Sequence, residues 1–357
     1  MKKKKNTRKI LIIIFFLLFV LFIFYLFLPA KAYVEMPGKA TDVRRVMKVG
    51  KKRDKTRGNL RFVSVYLFPA RNIDYIKRFF NHTISIETKK SVQGNYNSRI
   101  YKVLSELQMK NSILSAEKVA FNAANKSSQI KTYYQGIYVL DVNKNSNFFN
   151  KIKIGDVITK INHHHFNRAS GYQNYLAYMP VGKKIILTVL RKNKKINFSG
   201  KVVHLPKTKN DSYPQGRNGI GVSLINDVNF KTKPKIRMNT KKISGPSGGL
   251  MFSLQLYSQL TGQNIKKSRN ISGTGTINKK GKVGEVGGIS KKLIAAQKAK
   301  SKVFLVPYVK ATSQHLKTDG GKTNWQEAKE TKKKFSLKIK LVPISSFSEA
   351  LDSLKKY

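Results

Sequence analysis

Two adjoining stretches decide the fold of the C-terminal half of this chain, residues 245–249, GPSGG, and residues 250–257, LMFSLQLY. A strand-like segment at 236–238 precedes them, and apolar residues recur at helical spacing after them. The pattern predicts a strand, a tight Gly-rich turn and a helix. Because free N–H groups at a helix N-terminus stabilise negative charge, such a turn can present Ser247 as a nucleophile beside an oxyanion site.

Two other interpretations compete for this turn. The first is a Gly/Ser/Pro loop with no chemistry. The second is the nucleophile elbow of α/β-hydrolases, whose G-x-S-x-G pattern residues 245–249 also satisfy. That fold requires an acidic residue and then a His downstream, and a preceding sheet of alternating strands and helices. His315 is the only His after Ser247, and no such alternation precedes Ser247, so the elbow is disfavoured.

A second group of motifs carries a candidate base. Residues 273–277 read GTGTI, residues 287–296 read GGISKKLIAA, and a strand is predicted at 303–307. The pattern predicts a Gly-turned hairpin followed by a Lys-bearing helix over 292–299. A Lys can act as general base only if its pKa falls towards neutrality, which burial beside apolar groups without a carboxylate partner achieves.

Together the two groups of motifs resemble the proteolytic domain of the Lon family, and specifically the membrane-anchored Lon-like proteases with a PDZ domain of Gram-positive bacteria. GPSGG stands for the family's Gly-Pro-Ser-Ala-Gly, and GGISKKL for its Gly-Gly-Leu-Lys-Glu-Lys-Leu. The resemblance implies a Ser247–Lys292 dyad, with Lys291 one position out of register. It also implies that Thr274 helps to hold the lysine, and that Gly245, Pro246 and Gly248 form the oxyanion region.

Residues 126–204 predict a separate α+β module. The sequence GDVI at 155–158, Asn162 and the preceding strand resemble a bacterial protease-associated PDZ domain. The resemblance implies that the loop Tyr134-Gln135-Gly136-Ile137 holds a peptide carboxylate, and that the peptide adds as a strand to the sheet edge. A PDZ domain that only packs or gates is the alternative.

The N-terminus predicts a membrane anchor. A basic tail at 1–9 precedes residues 10–28, which carry no charge and as a helix would span roughly 28 Å. The positive-inside rule keeps the tail in the cytoplasm and places the rest outside the cell. A signal peptide cleaved at Ala32 is the alternative. Residues 31–58 are polar and basic, and they predict a stalk.

Composition restricts the partners. The chain has 71 Lys and Arg against 17 Asp and Glu, a formal net charge of +54. Two interpretations are open: a biased composition that gives a solvated basic surface, or attraction to anionic partners such as lipid headgroups or anionic wall polymers. No nucleic-acid-binding motif is present. There is no cysteine, which excludes disulfides and thiol catalysis. The adjacent His163, His164 and His165 lie at a predicted turn, and no metal or other cofactor is expected.

The predicted fold class is α+β and multidomain, with one N-terminal transmembrane helix. The resemblance implies that residues 33–125 and 205–357 form one Lon-type α/β proteolytic domain, split by the PDZ insertion. A strand predicted near residues 60–68 and a helix over 98–124 would open that domain.

Residues 320–323, GGKT, lack the first Gly of a phosphate-binding loop, because position 316 is Leu. The expected function is therefore ATP-independent, membrane-side cleavage of peptides or small membrane proteins, in signal-peptide processing or inhibitor clearance. The resemblance also implies self-association. The alternative is a non-catalytic, membrane-tethered PDZ adaptor that binds peptides or anionic surface polymers.

Overall fold

The computed structural model describes residues 2–51, 54–166, 168–206, 215–240, 243–312 and 321–356. His315 and Gly320 therefore lie outside the described residues. The α-helices are α1 (Lys2–Phe27), α2 (Asn72–Phe80), α3 (Lys89–Gln93), α4 (Ser98–Ala123), α5 (Ala169–Ala177), α6 (Gly249–Thr261), α7 (Ile289–Lys298), α8 (Asn324–Lys334) and α9 (Phe347–Lys356).

The strands form two main sheets and three short ladders. They are β1 (Pro29–Asp42), β2 (Met47–Val49), β3 (Asn59–Arg71), β4 (Ser85–Thr88), β5 (Ile130–Val142), β6 (Val157–Ile161), β7 (Lys184–Arg191), β8 (Lys194–Lys201), β9 (Val203–Leu205), β10 (Arg217–Gly219), β11 (Val222–Thr232), β12 (Ile236–Met238), β13 (Asn270–Gly273), β14 (Thr276–Ile277), β15 (Val283–Gly284), β16 (Val303–Pro307) and β17 (Lys340–Ile344).

Helix α1 confirms that the N-terminus has a helix long and apolar enough to cross a membrane, over Ile10–Phe27. Its side chains there are exposed to the surroundings and contact little of the protein. A signal sequence has the same properties, and the orientation of the helix stays a prediction.

The stalk prediction for residues 31–58 is wrong. Strand β1 starts two residues after α1 ends, and it pairs with β3 on one side and β4 on the other. Its polar residues alternate with buried ones such as Val34, which is the pattern of a strand with one face in a core. Pairing with distant strands, which the local composition does not reveal, turns this segment into part of the central sheet.

The larger sheet has six strands in the order β17-β16-β13-β3-β1-β4. Strand β13 is parallel to both β3 and β16, while β1 is antiparallel to its two neighbours. The sheet takes strands from before residue 90 and after residue 269, and the smaller sheet lies between them in sequence.

Helices cover both faces of this sheet. Phe62 and Leu305 point to one side and belong to a core that also holds residues of α4, α6 and α9. Val63 and Phe304, each the neighbour of one of those residues, point to the other side and pack with α7 and α8. The alternation of side chains along a strand therefore separates α6 from α7 by the thickness of the sheet.

The smaller sheet has five strands in the order β11-β5-β6-β7-β8. Its core is closed by Tyr172 and Leu176 of α5. Alternating apolar residues at 185–190 and 196–202 predict a closing strand pair, and the structure confirms it as β7 and β8, joined by a turn in which Lys192 and Asn193 have positive φ. Outside this sheet, the helix predicted over 98–124 is confirmed as α4, and the strand predicted at 60–68 is confirmed as part of β3.

Candidate active site

The turn that carries Ser247 is held against α4. The N–H of Gly245 donates to the carbonyl of Ser105 at 3.1 Å, and Ser112 Oγ donates to the carbonyl of Pro246 at 2.8 Å. Gly245 has φ +82°, a conformation that favours glycine, so the sharp entry into the turn explains this residue. Ser247 itself is half-buried, two residues before α6 begins.

Thr274 binds the turn that carries Ser247. Its hydroxyl donates to the carbonyl of Ser247 at 3.1 Å, and the N–H of Gly275 donates to the same oxygen at 2.9 Å. Thr274 is completely buried just after β13. This contact links the Ser247 turn to the central sheet, and a role of Thr274 in holding Lys292 stays a prediction.

Two N–H groups remain available for an oxyanion. Within the described residues, the backbone N–H groups of Ser247 and Gly248 have no acceptor, and both precede the first turn of α6. Their position adds the positive end of the helix dipole. Of the three residues predicted for the oxyanion region, only Gly248 has an N–H group without an acceptor, because the Gly245 N–H is already bonded and Pro246 has none. Ser247 supplies the second free N–H group.

The packing of Phe252 explains why residue 248 is a glycine. A Cβ at this position would lie 2.6 Å from the ring of Phe252, which is fully buried and stacks edge-on against Phe62 at 5.3 Å. The family pattern has Ala here. In this chain, the Phe252 ring occupies the space that the Ala methyl group would fill.

Lys292 is buried in the first turns of α7, with 3% of its surface exposed, while its neighbour Lys291 is only partly buried. The fully buried Ile289 and Leu293 lie on the same helix. Burial lowers the pKa of Lys292 to about 8, so a useful fraction of the amine is neutral near physiological pH. The N-terminal end of the α7 dipole also disfavours the charged form.

Two carboxylates, Glu35 of β1 and Glu327 of α8, act on Lys292 from outside its own helix. Both oppose the effect of burial and favour the ammonium form, though neither forms an ion pair with Lys292. The predicted apolar neighbours of Lys292 are therefore accompanied by two carboxylates that act on it without forming an ion pair. Burial also raises the pKa of Glu35, which lies against Gly288, and that of Glu327, which accepts a hydrogen bond from the N–H of Ser290 at 3.1 Å.

Sequence reasoning missed both carboxylates, because they lie more than 30 residues from Lys292 along the chain. The only hint of Glu35 in the sequence is that it is the one acidic residue between Lys31 and Thr41.

Ser247 and Lys292 come from opposite faces of the six-stranded sheet. Ser247 precedes α6 on one face, and Lys292 belongs to α7 on the other. Their side chains, both within the described residues, form no hydrogen bond with each other in this structure. The turn is linked to the carboxyl end of β13, an edge where open α/β sheets commonly bind ligands.

Two clefts flank the Ser247 turn along α4. One, of about 510 Å³, is lined by Ser112, Pro246 and Ile277 among others. The second, of about 760 Å³, is lined by Glu106, Met109 and Ser244 among others. Neither cleft is lined by Ser247 or Lys292. Because each adjoins the turn that carries Ser247, they are candidate binding sites for substrate on either side of that turn.

The predicted PDZ loop is not a loop. Residues 134–137, YQGI, lie inside β5, where Ile137 pairs with Ile158 of β6 and with Asn226 of β11. Gly136 has φ +151° and its Cβ position lies 2.4 Å from the carbonyl of Ile158, which explains the glycine. Strand β11 pairs with β5 along its length, whereas β6 pairs with it only at Ile137 and Tyr138, so a peptide can add on the β11 side only if β11 leaves.

Strand β11 lies next to β5 and is itself an edge strand of this sheet. It runs antiparallel to β5 over Val222–Thr232 and contacts α5 through Asn226, whose Oδ1 accepts from the N–H of Ala169 at 2.6 Å. Its Asp227 is buried and forms an ion pair with Lys110 of α4. The chain thus covers this side of β5 with its own backbone.

Comparison with known proteins shows that the chain contains a PDZ domain. The PDZ domain family model matches residues 107–202, which include β5 to β8 and α5 but not β11. The PDZ domain of the SdrC-like protein of Listeria innocua is 26% identical, covering 25% of this chain and 92% of that chain with a TM-score of 0.22. PDZ domains bind peptides, which agrees with the predicted peptide partner.

Similarity to Lon proteases is partial. The Lon protease of Neorickettsia sennetsu is 29% identical over 107 residues, which is 30% of this chain and 11% of that protein. The Lon protease of Chloroflexus aggregans is 30% identical over 106 residues, with the same coverage. The chain spans about a tenth of the length of these relatives.

Proposed function

We propose that this protein is an ATP-independent, membrane-anchored serine endopeptidase that uses a Ser247–Lys292 dyad. The observation that carries the proposal is the burial of Lys292 without an ion-pairing partner among the described residues, next to the sheet whose β13 end is tied to the Ser247 turn. Burying a cation is costly, so an unpaired buried lysine with a depressed pKa is a candidate for chemistry.

In the proposed reaction, neutral Lys292 accepts the proton of the Ser247 hydroxyl as its oxygen attacks a peptide carbonyl. The N–H groups of Ser247 and Gly248 stabilise the oxyanion. The lysine then protonates the departing amine. Catalytic hydrogen bonds are often long in unliganded enzymes and shorten with substrate bound, which accommodates the missing Ser247–Lys292 contact.

The remaining parts of the proposal concern place and substrate. Residues 10–28 anchor the chain with its N-terminus in the cytoplasm, and the catalytic part cuts extracytoplasmic peptides or small membrane proteins, as in signal-peptide processing or inhibitor clearance. Residues 33–125 and 205–357 form one Lon-type domain into which the PDZ domain is inserted. The continuous six-stranded sheet, which takes strands from before and after the PDZ domain, supports this division. Self-association is part of the same proposal.

The test is cleavage of an unbiased peptide mixture by the full chain in detergent or vesicles, followed by mass spectrometry. We expect Ser247→Ala to abolish the cleavages and Ser348→Ala, at an exposed serine of α9, to keep them. Undiminished cleavage by Ser247→Ala would exclude this nucleophile. A wild-type protein that binds peptides and cuts none would favour the adaptor function.

A further inference from the structure

Helix α2 exposes its apolar side and buries a polar residue, the reverse of a helix on the surface of a water-soluble domain. At 3.6 residues per turn, Ile76, Phe79 and Phe80 form an apolar stripe on one side, opposite Asp74. The stripe faces outward, with Phe79 76% and Phe80 78% exposed, whereas the buried residue of the helix is Asp74. A surface helix normally buries its apolar side in the core.

Asp74 is the polar residue on the buried side of α2. It accepts hydrogen bonds from the N–H of Arg71 at 2.8 Å and from Lys77 Nζ at 2.9 Å, so its carboxylate is satisfied by the first turn of the helix. The helix therefore buries a hydrogen-bonded carboxylate and leaves its apolar stripe exposed.

Helix α2 begins where the apolar helix α1 ends. The N–H of Asn72 donates to the carbonyl of Leu28 at 3.2 Å, and Asn72 Nδ2 donates to the carbonyl of Tyr25 at 3.0 Å. Strand β1 begins at Pro29, which is paired with Arg71 just before α2. If α1 spans a bilayer, α2 lies within a few ångströms of the point where the chain leaves it.

We infer that α2 is an interfacial helix that inserts Phe79 and Phe80 into the outer surface of the bilayer. Aromatic side chains suit this depth, and Arg71, Lys77 and Arg78, all exposed, match anionic headgroups beside the stripe. The contact would hold the β1–β3 end of the central sheet against the membrane. The inference rests on the membrane anchor in the proposed function and is independent of the Ser247–Lys292 dyad.

The absence of cysteine allows a direct test on the full chain. Single cysteines at Phe80→Cys, Phe16→Cys and Tyr178→Cys carry an environment-sensitive fluorophore, and the proteins are reconstituted into vesicles containing phosphatidylglycerol. Lipids with a nitroxide near the headgroup or deep in the acyl chain serve as quenchers. Tyr178 is the matched control, an aromatic residue that is 91% exposed and follows α5 of the smaller sheet.

We expect the shallow nitroxide to quench the fluorophore at Phe80 severalfold more than the one at Tyr178, and the deep nitroxide to quench the one at Phe16. Ile76→Cys, on the same stripe, should behave like Phe80→Cys and guards against a local effect of the label. Quenching at Phe80 equal to that at Tyr178, while Phe16 is quenched, would overturn the inference and leave the anchor standing.

Two other outcomes are also decisive. A fluorophore at Phe80 that is shielded from water but not quenched by lipid would mean that the stripe contacts a second copy of the chain, and would overturn the inference. No quenching at Phe16 would remove the anchor and the interfacial helix together. Peptide cleavage by the same preparation, compared with Ser247→Ala, reports separately on the peptidase.

Discussion

The two buried lysines of the described structure, Lys266 and Lys292, occupy contrasting surroundings. Lys266 is fully buried, and its Nζ donates to Asp54 Oδ2 at 2.5 Å, an oxygen that also accepts from Gln255 at 2.8 Å. Burial opposes ionisation of Asp54, but hydrogen bonds from Lys266, Thr56 and Gln255 outweigh it and hold the pKa of this carboxyl well below its usual range.

Lys292 is almost as buried and has no such partner among the described residues. Two carboxylates act on it without an ion pair, and burial lowers its pKa to about 8. Lys266 is thus stabilised as a cation and links the segment around residue 54 to α6 and the loop after it, whereas Lys292 loses its proton more easily. Burial without an ion pair is what makes Lys292, and not Lys266, the candidate base.

The strongest test of this difference between the two lysines is Lys292→Met, which keeps an aliphatic side chain and removes the amine. We expect cleavage to fall by about 10²- to 10⁴-fold, the usual range for loss of a general base. The free energy of unfolding should not fall, because no ion pair is lost. Peptide cleavage and thermal unfolding of the purified full chain measure the two effects.

Lys291→Met is the matched control for that variant. Lys291 is the next residue and only partly buried, so its loss should leave the rate of cleavage within a few fold of the wild type. A large loss in Lys291→Met with none in Lys292→Met would reverse the assignment of the base.

Lys266→Met should have the opposite effect. It leaves Asp54 buried without its cation, a change that typically costs about 3–5 kcal/mol of stability. The cleavage rate per folded molecule should remain close to that of the wild type at low temperature. Chemical denaturation and active-site titration separate these quantities, and adding Asp54→Asn should recover part of the loss. A stable but inactive Lys266→Met would contradict the contrast.

The pH dependence gives a smaller effect. Because the base must be neutral, cleavage should rise about tenfold per pH unit below pH 8 and level off above the pKa of Lys292, which is lowered to about 8. Between this value and 10.5, the unfolded chain binds the extra proton, so the stability of the folded protein should also rise with pH over that interval. A profile flat from pH 6 to 9 would exclude Lys292 as the titrating base.

Glu35→Gln sharpens the same measurement. Glu35 favours the ammonium form of Lys292, so its neutralisation should move the midpoint of the cleavage profile to lower pH. Glu330→Gln, at an exposed residue paired with Lys322, is the control and should leave the midpoint unchanged.

Most helices and strands follow from periodicity in the sequence. The helix at 98–123, the strand at 303–307 and the turn before α6 lie where local patterns predict them, because local hydrogen bonding and alternation of apolar residues decide such elements. The predictions that failed concern pairing. Residues 31–58 lie mainly in the central sheet rather than in a stalk, and Tyr134–Ile137 lie in a strand with two neighbours, because the partners are distant in sequence.

Contiguous residues are enough to predict the GPSGG turn, the PDZ domain and the apolar N-terminal helix. The choice of Lys292 over Lys291 as candidate base comes from the resemblance to the Lon family and stays a prediction. The positions of Glu35 and Glu327 near Lys292, the bond from Thr274 to the Ser247 carbonyl and the pairing of β11 with β5 become visible only in the folded chain. Each of these is a contact between distant segments, and the electrostatic surroundings of a buried group depend on whatever the fold places around it.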